Sequence, residues 1–95
     1  KAAAEALFQQ GRQLLQQQDY AGACGKLAAS QKLEPAIGTL LFLGECNERL
    51  GNSATAWAAF REAESMAGRQ GDGEREKVAA VRAAALEPVE ALHTD

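Results

Sequence analysis

The sequence predicts an all-α protein of about five helices, two helix hairpins in tandem followed by a capping helix, in one domain spanning residues 1–95. Three observations carry this. Alanine fills 21 positions, whereas Val, Ile and Thr together fill seven; alanine is the best helix former and the β-branched residues lose rotamer freedom in a helix. No stretch alternates apolar and polar residues for long enough to make a strand. A shift of 33 residues also brings the chain onto itself: Leu7 falls on Leu40, Phe8 on Leu41, Gly11 on Gly44, Asp19 on Asn52, Tyr20 on Ser53, Ala23 on Ala56, Leu27 on Phe60, Ser30 on Ala63 and Leu33 on Met66. Large meets large and small meets small, the mark of a repeated helical unit.

The elements follow in order. The first helix is expected over about residues 2–17. Asp19 then stands where an N-cap is needed, its carboxylate accepting the open amide hydrogens of the next turn. The second helix covers about residues 20–33 and ends ahead of Pro35, because proline disfavours helix in the residue before it. The third covers about residues 37–50, with Gly51 and Asn52 as the turn and Ser53 as N-cap. The fourth covers about residues 54–68. Gly68, Gly71 and Gly73 then break the pattern. Asp72 caps a fifth helix, about residues 74–86 within a capping segment of 72–87, which Pro88 stops, leaving residues 88–95 as a frayed tail. The units are thus about residues 4–36 and 37–69.

Small residues recur where two antiparallel helices meet: Gly11 with Ala23, and Gly44 with Ala56. Their side chains let the axes approach closely. Leu7, Leu14, Leu27 and Leu33 are expected to fill the space around the first contact, and Leu40, Leu43, Phe60 and Met66 around the second. A chain this short buries a modest core, with a net stability of roughly 5–10 kcal/mol.

Composition narrows the function classes. Net charge is -3, and the ten Lys and Arg residues are scattered. Nucleic-acid binding needs clustered cations, so none is expected. From Ser53 onward eight acids face five bases, a mild acidic tilt. No apolar run approaches the roughly 18–20 residues that span a bilayer, so no direct membrane insertion is expected. Opening on Lys1 rather than methionine, the chain is expected to be a fragment or a processed product. No catalytic constellation emerges, and neither a cofactor nor a metal is expected. The single histidine, His93, lies in the tail without a fixed partner. Glu45 and Glu48 share a helix face but no second group converges on them. The glycines at 68, 71 and 73 follow no strand, which makes them a linker rather than a phosphate loop. Ser30 and Ser65 have no histidine nearby in sequence.

Cys24 falls early in the second helix and Cys46 past the middle of the third. These helices run antiparallel, so the two sulfurs are expected to be close. They form either one bridge or a pair of buried thiols acting as small hydrophobes. Trp57 occupies the repeat position of Cys24. By the same geometry it is expected to pack on the fifth helix, where Ala79, Ala80, Ala83 and Ala84 offer room for an indole.

The two units carry a family resemblance. Leu7-x3-Gly11, then Asp19-Tyr20-x2-Ala23-x3-Leu27-x2-Ser30-x4-Pro35, resembles a tetratricopeptide repeat (TPR). Leu40-x2-Leu43-Gly44, then Gly51-x4-Ala56-x3-Phe60-x2-Ala63, resembles it again, and the two cover about residues 4–69. The family repeat is about 34 residues long. The resemblance implies a right-handed α-α superhelix closed by the fifth helix, which lacks the glycine signature. It also departs from the pattern: the aromatic near the start of each unit is Leu7 or Leu40 here, and Ser53 replaces Tyr20. The phrases LFQQGRQLLQQQDYAGACGKLAASQKLEP, GTLLFLGECNERLG, TAWAAFREAESMAG and VRAAALEP are similar to a bacterial group of TPR proteins whose repeats often follow an export signal and precede a small β-rich domain. That likeness implies an extracytoplasmic setting, in the periplasm or envelope.

Family usage places a peptide-binding groove on the first helix of each unit, at Glu5, Phe8, Arg12 and Leu15, then Leu41, Glu45, Glu48 and Arg49. An apolar floor with charged walls suits an extended or helical peptide, and the expected partner is an unidentified protein or peptide. Phe8 and Leu41 packing on a neighbouring helix, or on each other, is the plainer account. The Lys and Asn clamp by which some TPR domains hold chaperone tails is absent, since the matching positions include Phe8, Arg12 and Phe42. The competing expectation is structural: a spacer within a larger envelope protein, or a homodimer formed through exposed ends.

Overall fold

The computed structural model describes residues 1–87. Five helices make it up: α1 (Ala2–Gln16), α2 (Tyr20–Leu33), α3 (Ile37–Arg49), α4 (Ser53–Gln70) and α5 (Gly73–Ala85). No strand occurs among the described residues. Each helix packs on the next in chain order, so the helices lie side by side in a body of 45 × 30 × 19 Å.

The turns explain the hairpins. Gln18 takes φ 63° and Gly51 takes φ 81°, the left-handed conformation that ends a helix. In the first turn Asp19 N–H donates to Leu14 O (2.9 Å) and Gln18 N–H to Leu15 O (3.0 Å); in the second Asn52 N–H donates to Asn47 O (2.9 Å) and Gly51 N–H to Glu48 O (3.1 Å). Gly71 closes α4 in the same way, at φ 73°. Asp19 caps α2 by accepting from Gly22 N–H at 3.0 Å, and Asp72 caps α5 by accepting from Arg75 N–H at 3.1 Å. Glu34 is extended ahead of Pro35, and Gln31 Oε1 closes that bend by accepting from Ala36 N–H at 3.1 Å.

Close approach occurs at the two glycines. A Cβ on Gly11 would lie 2.6 Å from Leu27 Cγ, and one on Gly44 would lie 2.6 Å from Phe60 Cζ. Ala23, Leu27, Ala56 and Phe60 are fully buried beside them. Ser30, buried near the far end of the first hairpin, donates its hydroxyl to Ala4 O at 2.8 Å. Three apolar clusters result. Ala23, Leu27 and Cys46 centre one. Ile37, Leu40, Ala63, Met66, Ala67 and Ala79 form another. Ala56, Phe60 and Ala83 form the third.

Several boundaries differ from the sequence reading. Ser53 is the first residue of α4 and Asn52 precedes it. Asn52 makes no side-chain cap; its Nδ2 donates to Asn47 Oδ1 at 3.2 Å. Gly68 sits inside α4 rather than ending it: an interior glycine costs only about 1 kcal/mol, and Met66 and Ala67 just before it pack with Ala79 of α5. A Cβ at Gly68 would stand 3.0 Å from the Glu76 carboxylate. Gly73 opens α5. Leu33 is not a core residue but 60% exposed. It is the last residue of α2, whereas its repeat counterpart Met66 lies a turn inside α4 and packs in a cluster with Ala79 of α5. The expected stop at Pro88, the tail and His93 lie outside the described residues.

Candidate binding face

Phe8 of α1 meets Phe42 of α3 edge to face, with ring centroids 5.8 Å apart and planes at 61°. The Arg12 guanidinium lies over both rings, 5.2 Å from the Phe42 centroid and 6.0 Å from that of Phe8. Both phenylalanines are half-buried against the Ala23–Leu27–Cys46 cluster, and Arg12 is exposed. Below them Cys24 and Cys46 form a disulfide, with Cα atoms 5.7 Å apart, that ties α2 to α3.

The eight sequence-derived groove positions divide into three groups. Glu5, Phe8 and Arg12 lie on the side of α1 that carries the aromatic pair, where Gln9 Nε2 donates to Glu5 Oε2 at 2.9 Å. Leu15 and Leu41 belong to the packing: Leu15 on the Ala23–Leu27–Cys46 cluster, and Leu41 on the two clusters that α3, α4 and α5 share. Phe8 and Leu41 therefore serve different clusters. On α3, Glu45 is half-buried, while the other two charges are drawn to neighbouring helices. Glu48 Oε1 accepts from Arg82 Nη2 of α5 at 2.7 Å, and Arg82 also lies 4.8 Å over the Phe60 ring. Arg49 Nη1 donates to Tyr20 Oη of α2 at 3.2 Å and sits 5.7 Å over that ring.

Alongside, the start of α1, the α2–α3 turn and the start of α5 enclose a cleft of about 280 Å³. Glu5, Phe8, Glu34, Gly38, Thr39 and Arg75 are among its walls. Arg75 Nε donates to Asp72 Oδ2 at 2.8 Å. The Asp72 carboxyl is held below its usual pKa chiefly by the Arg75 backbone N–H; desolvation opposes this, and the Arg75 side chain adds to the lowering. Trp57, half-buried, packs on the Ala56–Phe60–Ala83 cluster that Leu86 also joins, with Arg61 5.7 Å over its ring.

Phe42, Thr39, Arg75 and Arg82 are the site residues that sequence reading did not select. For Phe42 a signal exists: it lies 34 residues beyond Phe8, one step off the 33-residue register that pairs Phe8 with Leu41. Among the described residues no three His, Cys, Asp or Glu side chains gather to hold a metal ion, and no helix is long and apolar enough to cross a membrane. No protein-family model matches the chain, and no curated protein or solved structure matches it.

Proposed function

We propose that this chain is a TPR-type protein–protein interaction module, a right-handed stack of two helix hairpins and a cap. On this reading it binds a peptide or protein segment across α1 and α3. The observation that carries the proposal is the Phe8–Phe42 pair under Arg12: two half-buried rings and an exposed guanidinium on one face. Aromatic and arginine side chains of this kind are enriched where binding energy concentrates. The recurrence of the Gly11–Leu27 contact as Gly44–Phe60 supports the repeat assignment.

The test is capture from a native extract with the wild-type domain and with a Phe8→Ala/Arg12→Glu variant whose helicity is unchanged. A partner retained by the wild type and lost by the variant supports the reading. Equal capture removes this face from the function. Leu41→Glu is the wrong probe, because Leu41 packs between clusters and its substitution disturbs the core.

A second reading, self-association as a structural spacer, has its own observation. Val78 and Val81 are 47% and 67% exposed, three residues apart on one face of α5. Sedimentation decides between them: a dimer dispersed by Val81→Glu favours the spacer, and a monomer at all concentrations favours the binding module.

A further inference from the structure

We propose that the cleft between the start of α1, the α2–α3 turn and the start of α5 receives the ammonium group of a lysine side chain from the bound segment; this rests on the binding-module reading. Thr39 is the first indication. It is only 3% exposed and lines the cleft, yet its hydroxyl has no side-chain hydrogen-bond partner among the described residues. No buried side-chain polar atom among the described residues is sealed away without a partner, so the Thr39 oxygen keeps contact with solvent, and the cleft that Thr39 lines is open to it. Buried hydroxyls are ordinarily paired, as Ser30 in the same wall is, to Ala4 O. A hydroxyl with no protein partner can accept a hydrogen bond from a donor that enters the cleft.

The charges define the donor. Glu5 and Glu34 both line the cleft. Glu5 takes one hydrogen bond from the neutral Gln9 amide. Among the described residues, the one ionic neighbour of Glu34 is the exposed α-amino group of Lys1, at 3.9 Å. Arg75 is the cation of the cleft, and its charge is offset by Asp72. The remainder is negative. An ammonium carries three N–H donors and no acceptor, which matches Glu5, Glu34 and the Thr39 oxygen. Phe8 forms a wall against which the aliphatic stem lies and over which the cation is attracted by the ring face. Gly38 lines the cleft beside Arg75, where a Cβ would stand in ordinary contact, 3.5 Å from Arg75 Nη1. At about 280 Å³ the cleft falls just below the size of cofactor pockets and suits one long side chain.

The experiment titrates the ¹⁵N-labelled chain with four capped pentapeptides, identical except for a central lysine, norleucine, Nε-acetyl-lysine or glutamate. The lysine peptide is expected to shift the Gly38 and Thr39 amides saturably, about tenfold more tightly than norleucine or acetyl-lysine, the sum of one partly exposed cation–ring contact and two exposed ion pairs. In a Glu5→Gln/Glu34→Gln variant, whose changes are at exposed positions, lysine is expected to fall to the level of norleucine. Equal affinity for lysine and acetyl-lysine, or lysine binding undiminished in that variant, overturns the proposal. If the lysine peptide leaves Gly38 and Thr39 unmoved while any peptide shifts Phe8 and Phe42, the lysine site falls and the binding face stands. If no peptide moves any of these amides at millimolar concentration, both readings fall.

Discussion

Cys24 and Trp57 hold the same place in the two hairpins, 33 residues apart, and connect them onward by different means. Cys24 reaches Cys46 and fastens α2 to α3 covalently. Trp57 adds an indole beside Ala83 and Leu86 at the α4–α5 junction, which is otherwise built from small side chains such as Ala67 and Ala79. Among the described residues the first hairpin is covered on one side, and the second on both. The α2–α3 junction thus adds a crosslink to its packing, where the α4–α5 junction adds an indole. The largest test of that contrast is at the buried centre of each hairpin. Phe60→Ala is expected to cost about 4 kcal/mol and Leu27→Ala about 3, read from urea unfolding midpoints. Phe60 packs with residues of α4 and α5 and lies beneath Arg82, so equal losses would show that the first hairpin carries as much as the second.

Reduction of Cys24–Cys46 comes next. A bridge across 22 residues of sequence stabilises by about 3 kcal/mol in the chain-entropy account. Hydrogen exchange after reduction is expected to show α1 and α2 losing amide protection first, with α4 and α5 retaining theirs. Uniform loss would make the two junctions a single cooperative unit and end the contrast between them.

The two glycines sharpen it further. Alanine at either position gains about 1 kcal/mol of helix propensity and loses about 1–3 kcal/mol to overpacking. At Gly44 the new methyl meets Phe60 Cζ, Cε1 and Cε2, all within 2.8 Å; at Gly11 it meets Leu27 Cγ and Cδ2. A rigid ring enclosed by three helices yields less than a leucine beside the half-buried Leu14 and Leu15. Gly44→Ala is therefore expected to destabilise more than Gly11→Ala. A Gly44→Ala/Phe60→Leu pair, which puts the leucine of the first hairpin opposite the new methyl, is expected to recover part of the loss.

Much of this framework was readable in the chain. The helix count, the antiparallel order and the Gly11–Ala23 and Gly44–Ala56 approaches all follow from a periodicity that places equivalent residues at equivalent depth. What crosses between hairpins was harder to read. One residue step turns a helix by about 100°, so aligning Phe8 with Leu41 says nothing of the rotation that brings Phe8 to Phe42 instead. Arg82 reaches Glu48, and Arg75 joins the cleft, only because α5 lies against the rest at a particular angle. That angle is set by tertiary packing rather than by local pattern. Gly68 shows the opposite failure: its composition reads as a break, but the helix continues through it, because the neighbouring Met66 and Ala67 pack with Ala79 of α5 and packing outweighs propensity.

The smallest expected effect lies in the turns. Gln18 and Gly51 are repeat counterparts and adopt the same left-handed conformation with the same hydrogen-bond pattern. Glycine takes that conformation freely, whereas an L side chain crowds the following carbonyl at a cost of about 1–2 kcal/mol. Part of the gain from glycine is lost to the greater freedom of the unfolded chain. Gln18→Gly is therefore expected to stabilise by about 0.5–1 kcal/mol, and Gly51→Gln to destabilise by a similar amount. The two turns are then interchangeable, and the hairpins differ only in what fills them. If Gln18→Gly is neutral or destabilising, the Gln18 side chain supplies the first turn with an interaction that the second lacks, and the correspondence between the hairpins ends at their helices.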